Sequence, residues 1–219
     1  MARALNMHVK AVLLGGLCVL AAGCDEEAGA APSDETTFLA DGPLLFMSGE
    51  ITSDTLDQFE DVIDANPDVT TLVECIVPGS SDDDTMIALS YLVRDMGLNT
   101  HLTSGSQVAS GGTDLFLAGV TRSMVTGADI GVHSWSDGEN DAADFPRTST
   151  EHDQNRDYIA DMLGDDAFYW FTIDAAPAAD MHWMTPAEIA KYGLLTTPAQ
   201  TVDTNIICPD FGAERLTTD

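Results

Sequence analysis

Ser110 is the residue of this chain whose surroundings most suggest chemistry. It lies in SGSQVASGGTDLFLAGV, residues 104–120, where small residues surround it and two glycines and an apolar segment follow it. One interpretation is a tightly packed connection between a strand and a helix. The other is a turn that presents the hydroxyl beside main-chain N–H groups. A free serine hydroxyl is a weak nucleophile, so the second interpretation requires a neighbouring base. The histidines outside the N-terminal segment are His101, His133, His152 and His182.

Strands and helices alternate through the part of the chain that would position Ser110 and His133. Apolar runs rich in β-branched residues predict strands, and apolar residues at helical spacing predict helices. The predicted elements are a strand at 44–51, a helix capped by Ser53 or Asp54 and ended by Asn66-Pro67, a strand at 69–77, a helix at 85–97, a strand at 98–105, a helix at 107–120, and a short strand near His133. Such alternation implies parallel pairing, because each crossover returns the chain to the same edge.

The last part of the sequence predicts helices instead of further strand–helix alternation. Two helical segments, 151–164 and 165–176, follow a polar loop, and a third spans 184–195 with Thr185 as its cap. The acidic run 82–84 stands at the start of an earlier helix, where carboxylates meet the positive end of the helix dipole. We interpret that run as a helix start in preference to a metal site.

The first residues have the character of an export signal. Residues 1–23 combine a short basic start with an apolar stretch too short to span a bilayer. Their end, LAAGC, resembles a bacterial lipobox, in which Cys24 becomes the lipidated first residue; the alternative is ordinary cleavage with an incidental thiol. The stretch DEEAGAAPSDETT that follows Cys24 is acidic and free of bulky apolar side chains, and from it we predict a flexible tether over residues 24–40. Residues 41–219 have a normal size for one domain.

Four cysteines occur, and two of them remain once the signal and the lipid are accounted for. In an exported protein an even remainder suggests a disulfide, which here would join Cys75 to Cys208. Two buried free thiols are the alternative.

The charge of the chain excludes several classes of partner. The formal net charge is −29, from 8 Lys and Arg against 37 Asp and Glu. A surface this negative repels nucleic acid and anionic lipid head groups, and we interpret it as a solubility adaptation. No metal-ligand spacing and no phosphate-binding glycine loop is present, so we expect no cofactor.

Several motifs follow one another in an order that carries a family resemblance. They are GEI, PGSS, SQVASGGTDLFLAG, GADIGVHSW and WMTPAEIAKYGLL, within residues 44–196. This order resembles the proteolytic subunit of Clp protease and its relatives in the crotonase superfamily, above all the exported members. The resemblance implies an α/β fold of repeated β-β-α-type units, with a mostly parallel sheet and C-terminal helices.

The same resemblance implies roles for individual residues. Ser110 matches the family's nucleophile and His133 its base. Gly79, in the turn after a buried strand, and Gly111, next to the serine, match the main-chain donors that hold the developing oxyanion. Each such donor can be worth roughly 3 kcal/mol in the transition state.

The third catalytic group departs from the family pattern. Asp180 is our candidate for the group that holds the histidine tautomer, although the family's aspartate falls one residue later; Asp174 and Asp137 are further options. Ser80 also replaces the second glycine of the oxyanion turn. The single lysine left after signal removal, Lys191, lies where the family carries no catalytic group, which argues against a Ser–Lys mechanism.

These observations lead to an expected function and to rivals for it. We expect an exported, lipid-anchored serine hydrolase of the cell envelope, facing the periplasm or the exterior, that acts on peptide or acyl substrates. The family resemblance implies a homo-oligomer. The rival is a catalytically degenerate module for binding or assembly on the same fold. A crotonase-like acyl-thioester enzyme is weaker, because coenzyme A carries phosphates and no basic cluster is visible.

Overall fold

A sheet of seven strands forms the centre of the computed structural model, which describes residues 35–201 and 205–217. The strands are β1 (Thr37–Asp41), β2 (Leu44–Ser48), β3 (Thr71–Val77), β4 (Asn99–Ala109), β5 (Arg122–Met124), β6 (Asp129–Val132) and β7 (His182–Trp183). The helices are α1 (Thr55–Ala65), α2 (Asp83–Asp95), α3 (Gly111–Leu117), α4 (Asp153–Leu163), α5 (Ala167–Ala175) and α6 (Pro186–Lys191). The predicted signal peptide and Cys24 lie outside the described residues.

The strands are arranged in the order β1-β2-β3-β4-β6-β7, and β5 also pairs with β4. Strands β2, β3, β4 and β6 run parallel, as β5 does to β4, whereas β1 and β7 pair antiparallel at the two edges. Parallel strands place their carboxyl ends at one edge of the sheet, where the loops after β3, β4 and β6 meet. This arrangement confirms the predicted α/β fold with a mostly parallel sheet.

Two helix starts agree with the sequence analysis, whereas at α1 Asp54 stands at the cap position without a capping side-chain hydrogen bond. Asp82 caps α2, since its carboxylate accepts the Thr85 N–H at 3.0 Å. At α6, Thr185 accepts the Glu188 N–H while the Glu188 carboxylate accepts the Thr185 N–H, which is a capping box. Both ends therefore satisfy main-chain donors that have no partner inside the helix.

The predicted helix at 107–120 begins too early. Residues Gln107–Ala109 continue β4, because they pair with Ile76 and Val77 on one side and with residues 129–131 on the other. Two neighbouring strands therefore satisfy the main chain, so the small residues extend the strand and α3 starts only at Gly111.

The predicted tether at 24–40 overlaps the first strand. Thr37–Asp41 form β1 in antiparallel register with β2, and the Phe38 ring lies 5.9 Å from the Phe59 ring in an edge contact. Residues 37–40 therefore belong to the sheet and not to a tether. The signal in the sequence is the apolar pair Phe38-Leu39 at the end of the acidic stretch, which the tether prediction did not take into account.

The two faces of the sheet are covered differently. One face packs on the helices around a core that includes Leu72, Leu102 and Phe116. On the other face, Phe46, Val73 and Cys75 pack against Ile206, Cys208 and Phe211 of the C-terminal segment. The predicted disulfide joins Cys75 to Cys208, so it fastens that segment to β3.

Glu74 is a buried carboxyl in the middle of β3. Its side chain is fully buried, and neither carboxyl oxygen has a hydrogen-bond partner within the described residues. Burial raises the pKa of Glu74 well above its usual range, because the ionised form loses its hydration. Burial at this position therefore favours the neutral form of the carboxyl.

None of the helices in the described part of the chain has the length and apolar character needed to cross a membrane.

The disulfide should contribute substantially to stability. It closes a loop between residues 133 positions apart, so its removal should release considerable entropy to the unfolded chain. We expect the double variant Cys75→Ser/Cys208→Ser to lose about 2–4 kcal/mol of unfolding free energy, measured by urea titration. Reductant should weaken the wild type by a similar amount and leave the double variant unchanged. An unchanged wild-type curve under full reduction would contradict the assignment.

Glu74 should make stability fall as the pH rises. The folded-state pKa lies above the unfolded value, so the stabilising effect is complete below about pH 4.5 and decreases as the pH rises towards the folded-state pKa. We expect the wild type to lose up to about 1.4 kcal/mol per pH unit in that window through this group, and Glu74→Gln to lack that component.

The measurement is urea unfolding at a series of pH values. Glu60→Gln, on the exposed side of α1, is the matched control for the loss of one negative charge. The difference between the pH slopes of the two variants reports Glu74 alone. Identical slopes would show that Glu74 is ionised in the folded protein.

Candidate active site

Ser110 occupies the junction between β4 and α3 in an unusual backbone conformation. Its φ is 51° and its ψ is −127°, which few residues other than glycine adopt. Its N–H donates to the Gly131 carbonyl at 3.1 Å, and the Thr113 hydroxyl donates to the same carbonyl at 2.8 Å. The turn that carries the serine is thereby fixed to β6, two residues before His133.

Glycines allow the loop after β3 to pack directly on this turn. A Cβ added to Gly111 would lie 2.7 Å from the Ser80 Cβ, and one added to Gly112 would lie 2.5 Å from the Val77 carbonyl oxygen. A Cβ on Gly79 would lie 3.3 Å from the Ser110 Cβ and 3.7 Å from its Oγ. The two segments can approach this closely because these positions have no side chain.

The loop that contains Gly79 is held in place by its neighbours. The Gly79 carbonyl accepts the Ile51 N–H at 2.9 Å, and the Ser81 N–H donates to the Ile51 carbonyl at 2.9 Å. The Ser80 hydroxyl donates to the Asp83 carboxylate at 2.5 Å, so the residue that replaces the family's second glycine is tied to α2. Gly111 opens α3, and its N–H has no acceptor within the helix. The structure thus brings both residues of the predicted oxyanion hole beside Ser110.

His133 follows β6 directly and is half-buried. Its Nδ1 lies 3.0 Å from the Ala178 carbonyl oxygen. A carbonyl can only accept, so Nδ1 carries the proton, and in the neutral ring Nε2 keeps its lone pair. This is the tautomer that a general base requires.

Ser110 and His133 line the same small cavity, of about 40 Å³. Asp114, Trp135, Asn155 and Tyr169 also line it. No hydrogen bond joins the Ser110 hydroxyl to His133 within the part of the chain that the structure describes. Catalytic hydrogen bonds are often long without substrate and shorten when it binds, so the shared cavity is the informative observation.

The predicted role of Asp180 is not supported. Its carboxylate accepts the N–H of the next residue, Met181, at 2.8 Å, while the turn before it presents the Ala178 carbonyl to His133. The other two candidates are also engaged elsewhere: Asp174 bonds Arg147 at 2.7 Å, and Asp137 accepts from the loop that follows it. A backbone carbonyl therefore stands where we expected a carboxylate.

Asp114 is a site residue that the sequence analysis missed. It lies one helical turn after Ser110 and lines the same cavity. Burial, with a smaller contribution from the Asp83 charge, raises the pKa of Asp114 to about 7. The signal that could have revealed it is an acidic residue in the first turn of the helix that follows Ser110.

Polar and aromatic groups complete the wall of the cavity. The Trp135 Nε1–H donates to the Tyr169 hydroxyl at 2.9 Å, and that hydroxyl lies 2.7 Å from the His152 Nδ1. The Asn155 Oδ1 atom is buried and has no hydrogen-bond partner among the described residues. It is an acceptor available to a donor group on a bound molecule.

The other histidines are engaged away from this cavity or behind its wall. His101 Nδ1 lies 2.8 Å from the Ser123 hydroxyl, and His182 Nε2 lies 3.1 Å from the Glu188 carboxylate. Lys191 donates to the Tyr192 hydroxyl at 2.9 Å, on α6. Within residues 35–201 and 205–217, no group of three or more His, Cys, Asp or Glu side chains is placed to hold a metal ion.

The chain resembles known proteins in its three-dimensional structure, and only solved structures match it. No protein-family model matches the chain, and no curated protein matches it. Among solved structures, a serine-to-alanine mutant of the membrane-bound stomatin-specific protease 1510-N matches with a TM-score of 0.51 and 19% identity, over 76% of this chain and 83% of that one. A lysine-to-alanine mutant of the same protease, in complex with a substrate peptide, matches with a TM-score of 0.48 and 17% identity, over 76% and 78% of the two chains.

The first of these likenesses shows a shared fold. With the sheet order and the helices described above, it establishes that this chain shares its mixed α/β, mostly parallel fold with that protease.

Proposed function

We propose that the protein is a serine hydrolase that acts on peptides or related acyl compounds. The observation that supports this most is the shared cavity of Ser110 and His133 with Gly79 packed against the serine. A nucleophile, a base in the correct tautomer and main-chain donors are the parts that acyl transfer needs.

In the proposed mechanism the Ser110 Oγ attacks the acyl carbon of the substrate. His133 Nε2 accepts the hydroxyl proton and later gives it to the leaving group. The N–H groups of Gly79 and Gly111 donate to the oxyanion of the tetrahedral intermediate. A water molecule then attacks the acyl-enzyme by the reverse sequence, with His133 again as the base.

In the usual triad one carboxylate both orients the histidine ring and stabilises the imidazolium; here we assign these two roles to two different groups. The Ala178 carbonyl holds the His133 ring and its tautomer, but it carries no full negative charge to stabilise the imidazolium. Asp114 supplies that charge when it ionises in the same cavity. The reaction should therefore depend on the protonation state of Asp114.

The setting of the activity is part of the proposal. Lipidation at Cys24 would hold the hydrolase in the cell envelope, facing the periplasm or the exterior. There it would act on a peptide or acyl substrate and would assemble as a homo-oligomer. The LAAGC sequence supports the anchor, and the disulfide is consistent with an oxidising compartment.

A second candidate is a binding module without catalysis. The absence of a hydrogen bond between Ser110 and His133 in the described chain, together with the missing carboxylate at His133, favours it. In that case Ser110 would have no more than the reactivity of an ordinary serine.

Labelling with a fluorophosphonate probe separates the two candidates. We expect the wild type to label at Ser110, Ser110→Ala not to label, and His133→Ala to label more slowly by at least about a hundredfold, because the hydroxyl then lacks its base. The adduct should be located by mass spectrometry and folding checked by circular dichroism.

Asp180→Asn is the matched control for this experiment. It removes a carboxylate near His133 that makes no hydrogen bond to the ring in the described chain, so we expect the labelling rate to stay within about twofold of wild type. A folded wild type that does not label would reject the hydrolase and favour the binding module.

Asp114 should give the labelling rate a distinct pH dependence. Its pKa of about 7 means that it gains its charge as the pH rises through neutrality, which stabilises the imidazolium as it forms. We expect the rate to rise across roughly pH 6 to 8 and Asp114→Asn to lose that component, with a rate about tenfold lower at the alkaline end.

Asp83 provides an independent check on this assignment. Its charge contributes to the raised pKa of Asp114, so Asp83→Asn should shift the same inflection towards lower pH. An Asp114→Asn variant with the wild-type pH profile would show that the carboxyl takes no part in the reaction.

A further inference from the structure

Gln107 binds a stretch of main chain with both ends of its side-chain amide. The residue lies on β4 and is fully buried. Its Nε2 donates to the Leu216 carbonyl at 3.2 Å, and its Oε1 accepts the Leu216 N–H at 2.5 Å. The amide therefore recognises a peptide unit and not a particular side chain.

The partner of Gln107 belongs to the C-terminal segment, residues 205–217, which lies over the face of the sheet opposite the helices. Cys208 fixes the segment to β3, and Phe211 packs beside the disulfide. Arg215 donates to the Gly105 carbonyl at 2.7 Å and pairs with the Asp129 carboxylate at 2.6 Å. The end of the segment is thus held by a few polar contacts.

The segment leads towards the candidate active site. Leu216 and Thr217 line a cavity of about 360 Å³ together with His133 and Trp183. Gln107 stands three residues before Ser110 on β4, a distance of roughly 10 Å along a strand. An extended peptide held at Gln107 and running parallel to β4 would bring a residue a few positions further on to the serine hydroxyl.

The contacts near the end of the segment are of a kind that a competing peptide could replace. The side chains of Arg215 and Asp129 are 44% and 36% exposed, and exposed ion pairs contribute little to stability. A cavity of about 300 Å³ also remains between the segment and the sheet near Gly105 and Phe211. A permanent cover would be expected to fill that space with apolar side chains.

We propose that the groove over Gln107 is the binding site for an extended peptide, and that the C-terminal segment occupies it as a displaceable strap. Removal of the strap leaves the buried Gln107 amide with an unpaired donor and an unpaired acceptor, which the main chain of another peptide satisfies. The disulfide keeps the strap attached while its end is displaced. That the bound peptide is a substrate rests on the proposed hydrolase function; that the groove binds a peptide does not.

The test uses a fluorescein-labelled peptide with the sequence of residues 211–219, FGAERLTTD, and measures its binding by fluorescence anisotropy. The protein is the full chain and a chain that ends at Ala213, which keeps Cys208 and Phe211; both carry Ser110→Ala so that no turnover occurs. We expect the shortened chain to bind the peptide at least about tenfold more tightly than the full chain, because the strap no longer competes.

Chemical variants of the peptide identify the contact. Methylation of the Leu216 nitrogen removes the N–H that Gln107 accepts, so it should weaken binding about tenfold, as should Gln107→Ala in the shortened chain. The peptide with Leu216→Ala keeps its main chain and is the matched control, expected to bind within about threefold of the original.

A full-length variant tests the same point without truncation. Leu216→Pro deletes the N–H from the strap itself, so this chain should bind the peptide as the shortened one does. Equal binding to wild-type and strap-altered chains, or indifference to N-methylation, would overturn the proposal. Since binding is measured without the nucleophile, a wild type that binds peptide but never labels at Ser110 would reject the hydrolase and leave the groove standing.

Discussion

The close approach of two main-chain segments at Gly111 and Gly112 is the constraint on which the site depends. The turn that carries Ser110 packs on the loop after β3 at distances that any side chain at these two positions would prevent. That contact sets Gly79 beside the serine hydroxyl and holds Ser110 at a positive φ. Such strained positions persist only where the surrounding structure over-determines them, and here two parallel strands and a helix do so.

The same constraint is transmitted to His133 through a single carbonyl group. Gly131 accepts hydrogen bonds from both the Ser110 N–H and the Thr113 hydroxyl, so the serine turn and the strand that carries the histidine form one unit. At the far end of α3, the Arg94 guanidinium donates to the carbonyls of Leu117 and Ala118 at 2.7 and 2.6 Å. The short helix is therefore fixed at both ends, which limits how far Ser110 can move relative to His133.

The charge of the molecule gives a reason for the carbonyl at His133. With a net charge of −29 and Asp83 and Asp114 already in the cavity wall, a third carboxylate would add repulsion at the site. A carbonyl orients the ring without that cost. Burial raises the pKa of both Asp114 and Glu74, and at Asp114 the nearby charge of Asp83 adds to the effect.

The sequence by itself determined the features that local chemistry decides. Asp82 and Thr185 cap helices because their side chains reach main-chain donors within three residues, and β3 is a strand because of its β-branched run. The disulfide between Cys75 and Cys208 is the pairing that the sequence predicted. The motif order also predicted the α/β fold, and it singled out Ser110 and His133, which line one cavity, and Gly79, which packs on the serine. Only the tertiary structure decided what depends on long-range pairing. It extended β4 to Ala109, because strands on both sides supply hydrogen bonds there. It put the Ala178 carbonyl at His133, Asp114 in the cavity wall and Leu216 on Gln107. The sequence could not indicate the Ala178 carbonyl as the partner of His133, because every residue has a carbonyl. The contact of Gln107 with Leu216 joins residues more than a hundred positions apart, so the path of the chain decides it and not the local sequence.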